Sequence, residues 1–130
     1  MAHSPIIAET GPGFRTAVTV RNHALTIDEP VELGGGDAGA TPVELLLASL
    51  ASCTTITVRM YADRKGYPLR SVRVTATRPE APPGPIPELS LQLTLEGELD
   101  DEQRRRLIEI AHRCPVHRTL AAGCRITMTA

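Results

Sequence analysis

The segment TPVELLLASLASCTTITVRMYADRKG, residues 41–66, restricts the possible folds more than any other stretch of the chain. It begins and ends with helix signals. Thr41 suits the N-cap, Pro42 the first helical position, and Glu44 falls where a capping box needs its acid. At the far end Arg64 and Lys65 suit the negative pole of the helix dipole. Gly66 suits a left-handed cap, and Pro68 blocks continuation. Between these signals the helix is apolar nearly all round, since Leu45, Leu46, Leu47, Leu50, Ile56, Val58 and Met60 cannot share one stripe. Such a helix has to be covered on several sides. One small sheet cannot do that, so the pattern predicts a second copy of the chain, an obligate homodimer.

The flanking segments read as short strands and a second helix. Residues 13–20 and 24–29 are expected to form two strands joined by a turn at Arg21, Asn22 and His23, the second ending at Pro30. ELGGGDAGA is expected to be a flexible loop. Residues 70–78 and 88–97 alternate cleanly, with Val72, Val74 and Ala76 on one face of the first and Leu89, Leu91, Leu93 and Leu95 on one face of the second. The proline-rich EAPPGPIPE between them is a surface loop. Asp100 and Gln103 predict a second capping box and a helix to about Arg113, which Pro115 should interrupt at Cys114. A helical turn, PVHRTLAA, Gly123 and a last strand, CRITMT, follow. At 130 residues the chain is expected to be one domain, 1–130.

Composition excludes several classes of function. A formal net charge of −1 gives no reason to expect nucleic acid or an anionic membrane as partner. Phe14, Tyr61 and Tyr67 are the only aromatic residues, too few for base-stacking platforms. MAHSPIIAET lacks the pattern of a signal peptide, and the apolar runs are broken short of a membrane span. The expected location is the cytoplasm, where three cysteines are free or catalytic rather than a structural framework.

Among the chemically capable residues, Cys53 is a thiol in mid-helix. A residue of that kind is usually a small core hydrophobe, and a reactive thiolate there would need a neighbouring cation. Arg15, Arg21, Arg113 and Arg118 are the available candidates. Cys114 stands before Pro115. As N-cap of the turn that begins there, it would receive backbone amides that favour a thiolate. Cys124, beside Gly123, reads as a packing residue. His112, Cys114 and His117 could supply metal ligands, though Cys-x-x-His without a second close pair is a weak zinc signal. Glu44 is explained by the capping box, and Arg104, Arg105 and Arg106 by a solvated helix face paired with Asp101 and Glu102. GGGDAG lacks the Lys-Ser/Thr of a phosphate-binding loop. His3, His23, His112 and His117 show no nucleophile–base spacing of their own. From the residues alone, the chemistry stops at a possible dithiol pair.

DEPVELGGGDAGATPVELLLASLASCTT, with Cys53 eleven residues after Pro42, and AHRCPVHRTL around Cys114 together resemble the OsmC/Ohr superfamily, named for osmotically inducible protein C and the organic hydroperoxide resistance proteins. The order of elements is similar along essentially the whole chain. The resemblance implies an α+β fold with two long central helices and antiparallel sheets, built as an intertwined homodimer. It also implies a thiol peroxidase without cofactor. Cys53 would attack an organic hydroperoxide and become a sulfenic acid, Cys114 would resolve it as a disulfide, and a lipoyl-type dithiol would restore the pair. Arg15, or alternatively Arg21, would hold the Cys53 thiolate, and Glu44 would support that arginine. In hydroperoxide-resistance members a Glu directly follows the helix-start proline. Here that position is Val43, and Glu44 lies about 100° further round the helix, which aligns the chain with the OsmC-like branch. The alternative function is a non-enzymatic dimer of the same fold that senses redox state or binds a small molecule.

Overall fold

The computed structural model describes residues 4–130, so residues 1–3, with His3 among them, lie outside the described structure. Internal contacts divide the chain into two compact units, residues 1–46 and 47–130. The first unit holds a three-stranded antiparallel sheet of β1 (Ile6–Thr10), β2 (Thr16–Val20) and β3 (His23–Ile27) in that order. The sequence reading gave only two of these strands. β1 pairs along its whole length with β2, from Ile6 opposite Val20 to Thr10 opposite Thr16. β2 starts later than expected because Thr10 ties off the preceding turn, its hydroxyl donating to the Arg15 carbonyl at 3.0 Å.

β3 stops at Ile27 because Asp28 takes the chain in a new direction. Its side chain is buried, and its carboxylate accepts from three backbone amides, one of the next residue and two of the Gly-rich segment. Oδ1 accepts from Glu29 N at 2.8 Å, and Oδ2 accepts from Gly36 N and Ala38 N at 3.1 Å each. ELGGGDAGA is therefore a pinned loop rather than the flexible one expected. It contains a 3-10 turn at Val31–Leu33 and bonds back to β3 through Asp28 N–H to the Ala40 carbonyl at 3.2 Å. Gly35 and Gly39 are required by close approach, since a Cβ would collide with the Glu29 carbonyl at the first and the Thr26 carbonyl at the second. The Ala38, Glu29 and Gly36 amides and the charge of Arg15 hold the Asp28 carboxyl below the usual carboxylate range, against the opposing effect of burial. A lowered folded value means that the stabilisation is present above the unfolded pKa and is lost as pH falls through the folded one. Asp28→Asn should thus melt below the parent at neutral pH, with the gap closing below about pH 4; thermal unfolding at the two pH values checks this.

Helix α1 (Pro42–Lys65) begins with the expected capping box. Thr41 Oγ1 accepts from Glu44 N at 3.1 Å, and Glu44 Oε1 accepts from Thr41 N at 2.9 Å. It ends at Gly66, whose φ of 71° is the left-handed cap. In the second unit α1 packs with the antiparallel pair β4 (Leu69–Thr77) and β5 (Ser90–Gly97) and with α2 (Asp101–Ala111). The core is Val58, Tyr61 and Ala62 of α1, Leu69 of β4, and Leu107, Ile110 and Ala111 of α2. Leu107 and Val58 are fully buried, each worth about 1.5–3 kcal/mol relative to exposure.

Two arginines fasten helices to strands through backbone carbonyls. Arg59 donates to Leu69 O at 2.8 Å and Arg70 O at 3.0 Å, and Arg104 donates to Leu95 O at 3.0 Å and Gly97 O at 3.1 Å. The three consecutive arginines are thus not one solvated face. Arg104 holds β5, Arg106 donates to the Tyr61 hydroxyl at 2.9 Å, and Arg105 pairs with Glu109 at 2.9 Å and Glu102 at 4.0 Å.

Two expectations about apolar segments change. By length and composition α1 could cross a membrane, contrary to the reading that all apolar runs stop short, although its Val58, Tyr61 and Ala62 are spent on the core of the second unit. Residues 123–130 form no strand, because no strand among the described residues pairs with them. Ile126 and Met128 are exposed there. On α1, Ile56 and Met60 are 57% and 65% exposed, so the apolar face that predicted a second copy is uncovered in the single chain.

Candidate active site

The candidate site lies in the second unit, where α2 gives way to α3. Pro115 cannot continue α2, and the last turn tightens, with His112 N–H donating to Glu109 O at 3.2 Å and Arg113 N–H to Ile110 O at 2.9 Å. Cys114 follows in an extended conformation, φ −55° and ψ 129°, as the N-cap of α3 (Pro115–Ala122). Its Sγ accepts the His117 amide at 3.3 Å, and its side chain is fully buried. The expected cap is therefore present: a helix start supplies a fixed donor to this sulfur.

Cys53 arrives from mid-α1 and is half-buried. Cys53 and Cys114 are neighbours, near enough for Cys114 to disfavour ionisation of the Cys53 thiol. The Val116 backbone, next but one after Cys114, and the Thr57 side chain, one helical turn beyond Cys53, act on the Cys53 thiol in favour of its ionised form. Burial pushes the Cys53 thiol up most strongly, and Cys114 adds to this, while Val116 and Thr57 act in the opposite direction. None of these groups is a cation, so within residues 47–130 the thiol is cradled by neutral groups. All three cysteines are reduced.

A cavity of about 290 Å³ in the same unit is walled by Leu89, Leu91, Leu93 and Ile108, and neither Cys53 nor Cys114 lines it. Thr54, next to Cys53, and His117 complete its polar side. The His112 and His117 rings stand 5.5 Å apart, and His112 Nδ1–H donates to the Ile108 carbonyl at 3.0 Å. Among the described residues no group of three His, Cys, Asp or Glu is arranged to hold a metal ion, so His112, Cys114 and His117 are not a ligand set.

The remaining sequence candidates are placed as follows. Arg15 and Arg21 are exposed residues of the first unit, Arg21 at φ 54° in the β2–β3 turn, and Glu44 is an exposed capping-box acid of the same unit. Cys124 is exposed and not the packing residue expected, since the strand meant to bury it is absent. Thr57 and the Val116 amide escaped the sequence reading. The i,i+4 spacing of Cys53 and Thr57 was a visible signal, whereas the Val116 contact depends on where α3 folds. The anchoring role of Asp28 was missed as well.

What two adjacent thiols at a helix start can do is form and break a disulfide. Residues 34–129 match the family model described as OsmC-like protein. The chain belongs to the OsmC-like family. Solved structures agree in fold. An organic hydroperoxide resistance protein OsmC from Legionella pneumophila is 25% identical, with 92% of this chain and 91% of that one covered and a TM-score of 0.68. A candidate organic hydroperoxide resistance protein from Vibrio cholerae O1, with captopril bound in one of its active sites, is 26% identical over 92% and 86% of the two chains, TM-score 0.66. A candidate osmotic stress induced and detoxification response protein from Psychrobacter arcticus is 24% identical over 92% and 89%, TM-score 0.79, and shares the fold. No curated protein matches this OsmC-like chain.

Proposed function

We propose that this OsmC-like protein is a thiol-dependent peroxidase that reduces organic hydroperoxides in the cytoplasm. The observation that carries the proposal is the neighbouring pair of free thiols, Cys53 half-buried on α1 and Cys114 buried at the cap of α3, where its sulfur accepts the His117 amide. Likeness to organic hydroperoxide resistance proteins in Legionella pneumophila and Vibrio cholerae supports the choice of substrate. The Cys53 thiolate attacks the O–O bond of ROOH. It gains one oxygen as sulfenic acid, and the alkoxide leaves to be protonated as ROH. Cys114 then attacks that sulfur, and its proton leaves with the hydroxyl as water, giving the Cys53–Cys114 disulfide. An external dithiol of lipoyl type exchanges with the disulfide and leaves as its own cyclic disulfide. The apolar cavity lined by Thr54, the neighbour of Cys53 in the chain, and His117 of α3 suits an alkyl substituent better than hydrogen peroxide.

Burial raises the Cys53 thiol, so turnover at neutral pH needs further stabilisation of the thiolate. On the family resemblance Arg15 is the first candidate for that role and Arg21 the second, while Glu44, one position past the place of the family's acid, is a catalytic candidate besides capping α1. The uncovered Ile56 and Met60 on α1 and the exposed Ile126 and Met128 support a homodimer as the working form. The test is stoichiometry. One equivalent of cumene hydroperoxide should remove two thiols per chain, and dihydrolipoamide should restore both. Oxidation that no dithiol reverses would favour the sensor or binding module instead.

A further inference from the structure

The thiol pair and the cavity of this unit share their supporting residues. Cys53 and Thr54 are consecutive on α1, and Thr54, which is buried, lines the cavity. The first turn of α3 does the same, since the His117 amide bonds to the Cys114 sulfur at 3.3 Å and His117 also lines the cavity. The titratable groups of the lining are the two imidazoles of His112 and His117, set against apolar walls that include Val74, Leu93 and Ile108. The two rings, 5.5 Å apart, are not equivalent. His112 is the C-cap of α2, and its Nδ1 stands 3.0 Å from the Ile108 carbonyl. A carbonyl oxygen only accepts, so Nδ1 carries the hydrogen and Nε2 is left as the atom that gains and loses a proton. The same bond holds the ring against its own helix. His112 is also exposed, so its proton exchanges with water, whereas His117 is half-buried and is tied through its backbone amide.

The proposed reaction has a task for such a group. As the Cys53 thiolate attacks ROOH, a sulfur–oxygen bond forms, the O–O bond breaks, and its electron pair leaves on RO−. An alkoxide is a strong base, and apolar walls do not solvate it. With the alkyl substituent in the cavity, the oxygen attached to it is released among the cavity's lining, which includes the imidazoles. We propose that His112 is the general acid of this step: its Nε2–H protonates the leaving alkoxide as the O–O bond breaks. The proton that the Cys53 thiol gives up on ionising returns to Nε2 through water, so Cys–SH and ROOH become Cys–SOH and ROH. This role rests on the peroxidase reading and adds the proton carrier which that reading lacks.

The experiment compares two oxidants that differ in their leaving group. Cumene hydroperoxide releases a strongly basic alkoxide, whereas peracetic acid releases acetate, a stable anion that needs no proton. Each is mixed with the reduced full-length protein, and loss of free thiols is followed through the first turnover. Both oxidants meet the same Cys53 thiolate, so its ionisation cancels in the ratio of the two rates. His112→Asn keeps an N–H for the Ile108 carbonyl and removes the titratable nitrogen. The expected result in His112→Asn is a fall of the cumene-to-peracetic ratio on the order of 10²-fold. His117→Asn, whatever its effect on the separate rates, should keep the parent ratio. An unmoved ratio in His112→Asn, with or without an equal loss on both oxidants, overturns the proposal, because a merely structural residue acts that way. An equal fall in both variants overturns it as well, since the effect then belongs to the polar side of the cavity and not to one nitrogen. The two readings fail separately. A parent that loses no thiol to cumene hydroperoxide removes the peroxidase and His112 together, whereas an active parent with an unmoved ratio in His112→Asn removes His112 alone.

Discussion

Cys53→Ser is expected to abolish consumption of cumene hydroperoxide, lowering the rate on the order of 10³-fold or more. The oxygen-accepting atom of the proposed reaction is the Cys53 sulfur, and a serine hydroxyl cannot take its place because it neither ionises near neutral pH nor forms a stable oxidised state. Neither other thiol can substitute. Cys114 is fully buried at the α3 cap, and Cys124 stands exposed in a segment without regular structure. Hydroperoxide loss followed by ferrous-xylenol orange assay decides the matter. A variant as fast as the parent removes the peroxidase reading.

The second large effect belongs to Cys114. In Cys114→Ser the first step survives, since Cys53 keeps its thiol and its half-buried place on α1. The second step loses a nucleophile already in contact with the reacting sulfur. External dithiol at millimolar concentration replaces a neighbour of far higher effective concentration, so steady turnover should fall on the order of 10²-fold or more. One equivalent of hydroperoxide should still be consumed rapidly. The product is then a Cys53 sulfenic acid, heavier by one oxygen and trapped by dimedone, whereas the parent yields no adduct. Loss of the first turnover as well would show that Cys114 is needed for more than resolution.

Much of this site was legible because its parts carry local signals. Thr41, Pro42 and Glu44 announced the start of α1, and the capping box is present with both reciprocal bonds. Pro115 announced the break at Cys114, and the break is where the second thiol acquires its amide donor. Features that depend on tertiary approach were not legible. Nothing local says that Asp28 folds inward to collect three amides, which turned an expected flexible loop into a pinned one. Nor does alternation alone make a strand of CRITMT, since its backbone groups need a neighbouring strand that residues 4–130 do not provide. The arginine run failed for a related reason. Charge spacing reports neighbours along a helix but not the β5 carbonyls that Arg104 reaches.

The measurement closest to the central claim is peptide mapping of the non-reduced protein after one equivalent of cumene hydroperoxide. The account predicts a single cross-linked species joining the Cys53 and Cys114 peptides, with Cys124 free, and its disappearance on adding dihydrolipoamide. Consumption of the hydroperoxide with Cys53 and Cys114 both still reduced, or a disulfide that engages Cys124 instead, would contradict it.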